Sequence, residues 1–137
     1  MDLYEKLLEK TKEMLQFQTG LGIIRWDLQT YMPPRGMKQR SEQIALMSKL
    51  QHRFLTDKKL EQLVSKLEKV SESLSLEQKR EVELVRRMLN RRAGLPEDLV
   101  AKEAQQKTLT TAAWQKAKRT NNWKLFELEL GALLDVS

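Results

Sequence analysis

The residues able to do chemistry in this chain are few, and their types limit what it can catalyse. There is one histidine, His52, and no cysteine. A hydrolytic zinc site takes three protein ligands, usually with histidine among them. The positions one helical turn from His52 are Ser48, Lys49, Leu55 and Thr56, and none is a good metal ligand. Two histidines a turn apart with a glutamate base between them cannot be written with a single histidine. A Ser–His–Asp arrangement needs a sharply turned nucleophile, and no such turn is visible. Gly20-Leu21-Gly22 lacks a third glycine and follows no strand, so it does not read as a nucleotide loop. Arg86, Arg87, Arg91 and Arg92 could grip phosphate, but Glu77, Glu81 and Glu83 share their segment and blunt the field. Basic residues late in a helix also complement its dipole. The reading is of a chain with no catalytic residue and no metal ligand or cofactor of its own.

The bulk properties agree with a helical protein whose work is not chemistry on the chain itself. Its 137 residues fit one domain over 1–137 and suffice for a core without disulfides. With 40% hydrophobic residues it is too apolar for disorder, and with 32% charged residues it does not resemble a membrane protein. No apolar run approaches the ~18 residues of a spanning helix. The 25 Lys and Arg against 19 Asp and Glu give a net charge of +6. The two signs are mixed along nearly every segment, which reads as a solvated surface and argues against nucleic acid as a partner. The start, Met1-Asp2-Leu3-Tyr4-Glu5, is acidic and amphipathic, unlike a secretory leader. With no cysteine as well, the expected compartment is the cytoplasm.

Helical periodicity covers almost the whole sequence. Asp2 and Glu5 form a capping box. Leu3, Leu7, Lys10, Met14, Phe17, Leu21, Ile24 and Leu28 follow at alternating spacings of four and three, a heptad-type seam broken only by Lys10. Gly20 and Gly22 should let a neighbour approach closely. Pro33 and Pro34 stop this helix. The next helix, about 37–55, presents Ile44, Met47, Leu50 and Phe54. Thr56-Asp57 signals a cap, and Leu60, Leu63, Val64, Leu67 and Val70 mark a third helix. Ser75 with Gln78 forms a second capping box before Val82, Val85 and Leu89. Gly94 reads as a C-cap and Pro96 as a first helical residue. The helix that follows should break near Thr108–Thr110. Asn121-Asn122 reads as a turn and cap before Trp123, Phe126, Leu130 and Leu133. Trp26, Trp114 and Trp123 are expected as core anchors, with Met14, Met47 and Met88 also at core spacing. The expected fold is all-α, an antiparallel helical array with long hairpins and about six or seven helices.

One segment is more specific than periodicity. Ile24-Arg25-Trp26-Asp27-Leu28-Gln29-Thr30-Tyr31-Met32-Pro33-Pro34-Arg35-Gly36 is followed by Arg40-Ser41-Glu42-Gln43-Ile44. It resembles the Trp-Asp-x-x-Thr-x-Met-Pro signature of the carboxypeptidase Taq family of thermostable metallocarboxypeptidases, with its following Gly and Arg-led helix. Leu95-Pro96-Glu97-Asp98-Leu99-Val100, Trp114-Gln115-Lys116-Ala117-Lys118 and Trp123-Lys124-Leu125-Phe126 resemble later steps of that family in order and spacing. Arg25 departs from it, since Gly usually precedes Trp-Asp. The resemblance implies the helical N-terminal region of a longer, two-lobed enzyme. Such enzymes release C-terminal amino acids with a divalent metal, zinc or cobalt, and are commonly homodimers. The family's metal ligands and catalytic Glu have no counterpart here. Its signature residues Trp26, Asp27, Thr30, Met32, Pro33, Gly36 and Arg40 carry over as a structural corner.

Two expectations follow. Asp27 lies near a helix C-terminus, where a carboxylate is disfavoured by about 0.3–1 kcal/mol, so it should accept hydrogen bonds from the 29–31 turn or pair with Arg40. Trp26 and Met32 should pack beneath it. An uncovered apolar face should also draw a second copy or a catalytic peptidase subunit, or serve as a protein-binding module.

Overall fold

The computed structural model describes residues 2–137. All regular structure among them is helical: α1 Leu3–Thr30, α2 Met37–Leu55, α3 Lys58–Lys69, α4 Leu76–Arg92, α5 Glu97–Thr120 and α6 Lys124–Val136. Two short 3₁₀ turns, Pro34–Gly36 and Ser71–Ser73, join α1 to α2 and α3 to α4. No helix among the described residues is long and apolar enough to cross a membrane.

The caps read from sequence are present where side chains can reach bare amides. Asp2 accepts from the Glu5 amide at 2.7 Å while Glu5 accepts from the Asp2 amide at 2.9 Å. Ser75 and Gln78 do the same for α4. Asp57 caps α3 by accepting from the Lys59 amide at 2.9 Å. At the end of α4 the cap residue is Ala93, and Gly94 follows at φ 79°, a left-handed position that favours glycine. Pro96 is not the first helical residue, as expected from sequence. At ψ 139° it is the extended residue just before Glu97, where its missing amide costs nothing.

The chain divides into two compact units. One comprises the stretch up to Thr19 together with Gln51–Leu95. Its core joins Leu7 of α1 to Leu60, Leu63, Val64 and Leu67 of α3 and to Val82, Val85 and Leu89 of α4. Lys10, the polar member of the α1 seam, meets Asp57 at 2.9 Å. That contact and the Lys59 amide hold the Asp57 carboxyl below its ordinary range. Arg86 grips Glu68 with two nitrogens, at 2.8 and 2.7 Å, and Ser65 at 2.8 Å. This fork ties α4 to α3 and lowers the Glu68 pKa. The Tyr4 hydroxyl donates to Glu81, and this bond together with burial and nearby carboxylates pushes its pKa up to about 12. Phe17 and Phe54 meet at a tilt of 50°, 5.4 Å between ring centres. Val70, expected on the apolar face of α3, is instead its exposed C-cap.

The second unit comprises Gly20–Leu50 and Pro96–Ser137. Leu21, Ser41, Ile44, Ala45 and Ser48 are buried in its first part, and Val100, Thr108, Thr110 and Ala117 in α5. Lys49 of α2 meets Asp98 in the first turn of α5 at 2.7 Å. The expected break at Thr108–Thr110 is absent, and α5 is continuous. The Thr108 hydroxyl bonds back to the Ala104 carbonyl at 2.9 Å, a contact compatible with helix. The Thr110 hydroxyl reaches the Glu129 carbonyl of α6 at 3.0 Å, and Gln106 reaches the Glu129 carboxylate at 2.7 Å. These bonds lock α5 to α6. Asn121 ends α5 in the left-handed conformation, φ 48°, which asparagine tolerates. It therefore caps α5, while α6 begins at Lys124, and Trp123 before it makes no side-chain cap.

Two further expectations are corrected. A Cβ at Gly20 or Gly22 would meet nothing within 4 Å, so neither glycine admits a close neighbour. The tryptophans are not core anchors. Trp26, Trp114 and Trp123 are 57%, 47% and 59% exposed. Of the methionines, Met14 is buried while Met47 and Met88 are half-buried.

The packing gives two measurable expectations. Leu67→Ala should cost about 2–5 kcal/mol in denaturant unfolding, since Leu67 is fully buried, while Leu76→Ala on the exposed start of α4 should stay within about 0.5 kcal/mol. Gly22→Ala should raise stability by about 0.4–1 kcal/mol, because the site is helical and open. A loss of stability there would reveal a neighbour that this fold does not place.

Candidate functional site

The signature residues come together at the corner between α1 and α2. Pro33 is extended at ψ 141°, and Pro34 opens the 3₁₀ turn in which the Gly36 amide bonds the Pro33 carbonyl at 2.9 Å. The end of α1 folds onto itself. The Asp27 carbonyl accepts from the amides of Tyr31 at 3.1 Å and Met32 at 3.0 Å, and the Thr30 hydroxyl bonds the Trp26 carbonyl at 2.8 Å. The turn amides thus go to the backbone of Asp27. Its carboxylate is left for Arg40, whose Nη2 lies 2.7 Å away. Of the two partners expected for this carboxylate, the cation on α2 takes it.

The packing of the corner differs in part from expectation. Trp26 does not sit beneath it: the indole meets Tyr31 at a tilt of 58°, 5.4 Å between ring centres, and both residues are exposed. Met32 is half-buried and stands 3.5 Å from where a Cβ on Gly36 would lie, an ordinary contact. Gly36 is not required by conformation, since it does not have positive φ. Chemically the corner offers one carboxylate already paired with one guanidinium, which is a brace more than a reactive centre.

His52 is 3% exposed. Its Nε2 lies 2.8 Å from the Leu95 carbonyl, so Nε2 carries the proton and donates. Its Nδ1 has no partner among the described residues. The Ser48 hydroxyl is likewise buried without one. Among the described residues no three His, Cys, Asp or Glu side chains are placed to hold a metal ion together. The donors around His52 do not fit a divalent metal. The arginines of α4 are partly committed: Arg86 to Glu68, and Arg87 to Glu83 at 2.5 Å.

A second feature was missed in the sequence, where its aromatic residues read as core. Between α5 and α6 lies a groove of about 310 Å³ lined by Lys107, Thr110, Thr111, Trp114, Phe126 and Leu133. Lys118 Nζ sits 5.3 Å from the centre of the Trp114 ring, and Trp123 meets Phe126 edge-on at 5.2 Å. Leu128 and Leu134 on α6 are 79% and 65% exposed. The available signal was charge: from Ala104 to Phe126 the sequence contains no Asp or Glu.

Comparison with known proteins places this geometry. The model of the family described as carboxypeptidase Taq (M32) metallopeptidase matches residues 6–137. Thermostable carboxypeptidase 1 of Thermus thermophilus is 27% identical over 126 residues, covering 90% of this chain and 24% of the relative. Carboxypeptidase 1 of Bacillus subtilis is 24% identical over 133 residues, covering 96% and 26%. Thermostable carboxypeptidase 1 of Pyrococcus furiosus is 24% identical over 133 residues, covering 97% and 26%. The chain thus spans about a quarter of the length of these curated relatives. A solved structure described as BsuCP superposes with a TM-score of 0.93 at 21% identity, over 99% of this chain and 27% of that one, which fixes the fold.

The corner can be tested by a double-mutant cycle. Asp27→Asn and Arg40→Met should each destabilise. Because both side chains are partly exposed, their coupling should be about 0.2–1 kcal/mol and shrink in high salt. Strictly additive losses would mean that the pair does not act as a brace.

Proposed function

The chain belongs to the carboxypeptidase Taq (M32) metallopeptidase family, and from that premise we propose that it is the N-terminal helical region of a metal-dependent carboxypeptidase. On this reading it works in the cytoplasm as part of a machine that releases C-terminal amino acids, and it is inactive by itself. The observation that carries the proposal is the family match over residues 6–137, joined to a corner whose signature residues brace α1 against α2. In full-length family members a divalent metal supplies the Lewis acid and activated water for peptide hydrolysis. The ligands for that metal, and the catalytic glutamate, are expected outside this chain. Here Trp26, Asp27, Thr30, Met32, Pro33, Gly36 and Arg40 shape a scaffold and touch no reacting atom.

A second reading is favoured by the exposed apolar side chains of α5 and α6. Here the chain is a helical binding module that associates with a second copy or with a catalytic peptidase subunit, possessing a regulatory role over it. Trp114, Trp123, Leu128 and Leu134 are the residues that support it, since large apolar groups grouped on one hairpin mark an interaction surface.

The activity is tested directly. The purified chain, given zinc or cobalt and a blocked peptide, should release no C-terminal amino acid. Metal-dependent release that persists in His52→Ala would overturn the proposal of inactivity, because His52 is the chain's one imidazole.

A further inference from the structure

We propose that Ser48, His52 and the Leu95 carbonyl form one buried hydrogen-bonded chain, in which Ser48 is the positioning residue that holds the imidazole against the turn between α4 and α5. The inference goes beyond both readings above and depends on neither, since every group it uses is internal to this chain.

It rests on a pair of unmet hydrogen-bonding needs. The buried polar residues among those described are Ser41, Ser48, His52, Thr108 and Thr110. Ser41 donates to the Lys38 carbonyl at 2.7 Å, Thr108 to that of Ala104 at 2.9 Å and Thr110 to that of Glu129 at 3.0 Å. The buried side-chain atoms without a partner among the described residues are Ser48 Oγ and His52 Nδ1. They are not scattered. Ser48 and His52 stand four residues apart on the continuous helix α2, so they lie one above the other on one face of it. They are only 6% and 3% exposed, and polar atoms buried that far are rarely left unpaired.

Their chemistry is complementary. His52 Nε2 donates to the Leu95 carbonyl at 2.8 Å. An imidazole with one proton then offers Nδ1 as an acceptor, and a serine hydroxyl is a donor that rotates to suit. The contact is made directly, after a small turn of the serine, or through one water held by both atoms. In either form the tautomer is fixed from one side by Ser48 and from the other by Leu95, and the ring cannot turn over without losing both bonds. What the ring holds is the turn: Leu95 precedes Pro96, which has no amide, and α5 opens at Glu97. A serine beside a histidine also has the residue types of a hydrolytic pair. At this burial no substrate reaches the hydroxyl, so the role is positional.

The test uses the whole chain, whose one histidine makes its ring the single imidazole signal in a long-range proton–nitrogen correlation spectrum. The proton should sit on Nε2, and Nδ1 should resonate as a hydrogen-bonded acceptor. Ser48→Ala should move the Nδ1 resonance toward that of a free acceptor and leave the Nε2 proton in place. Ser41→Ala, which removes a hydroxyl already bonded to a carbonyl, should move neither. Ser48→Cys, close in size and a weaker donor, should give an intermediate shift that a loss of packing would not produce. Circular dichroism confirms that each variant keeps its helix content. A crystal structure of the chain separates the two forms of the contact, the serine oxygen on Nδ1 or a water between them, and both support the proposal. Ser48 Oγ on the Ile44 carbonyl, one turn back, would overturn it. So would a proton on Nδ1, or an Nδ1 resonance indifferent to Ser48→Ala. Those results would leave the peptidase kinship and the binding-module reading untouched.

Discussion

A helix satisfies its own backbone and leaves one problem open, which is where its apolar stripe goes. That constraint organises this chain. In the unit built from the start of α1 with α3 and α4, the stripes converge: Leu7, Leu67 and Val64 are almost wholly removed from water, and the polar side chains at the margin find partners in Asp57 and Glu68. In the unit that includes α5 and α6 the hairpin is locked by polar bonds through Gln106, Thr110 and Glu129, while α6 has no fully buried residue at all. The two hairpins use the same element and different cement.

The corner after α1 shows how a short signature acts through physics before it acts through function. Two prolines end the helix, the freed amides return to the Asp27 carbonyl, and the carboxylate that a helix C-terminus would disfavour is neutralised by Arg40. Asp27, Thr30, Pro33 and Arg40 each have a local structural account; Trp26 and Gly36 do not.

Some of this was legible in the sequence and some was not. Caps at Asp2, Asp57 and Ser75 were legible because a side-chain oxygen reaches only two or three residues along the chain. The Asp27–Arg40 pair was legible as one of two options, since helix polarity demanded a donor without choosing it. The uninterrupted α5 was not legible, because threonines that weaken an isolated helix are secured here by a carbonyl one turn back and by α6. The exposure of the three tryptophans was not legible either. Periodicity gives the direction of a side chain around its own helix axis and says nothing about what stands opposite.

By itself, then, the sequence determined the helical class and the ends of most helices, which rest on neighbours within a turn or two, and with them the single histidine and the family resemblance, which rest on residue types in order along the chain. Tertiary structure alone decided that Arg40 takes the Asp27 carboxylate, that His52 spends its Nε2 proton on the Leu95 carbonyl, and that Trp114 and Phe126 edge an open groove. Each of these depends on which distant residue arrives at a given distance, and that is a property of the packed chain that no local spacing contains.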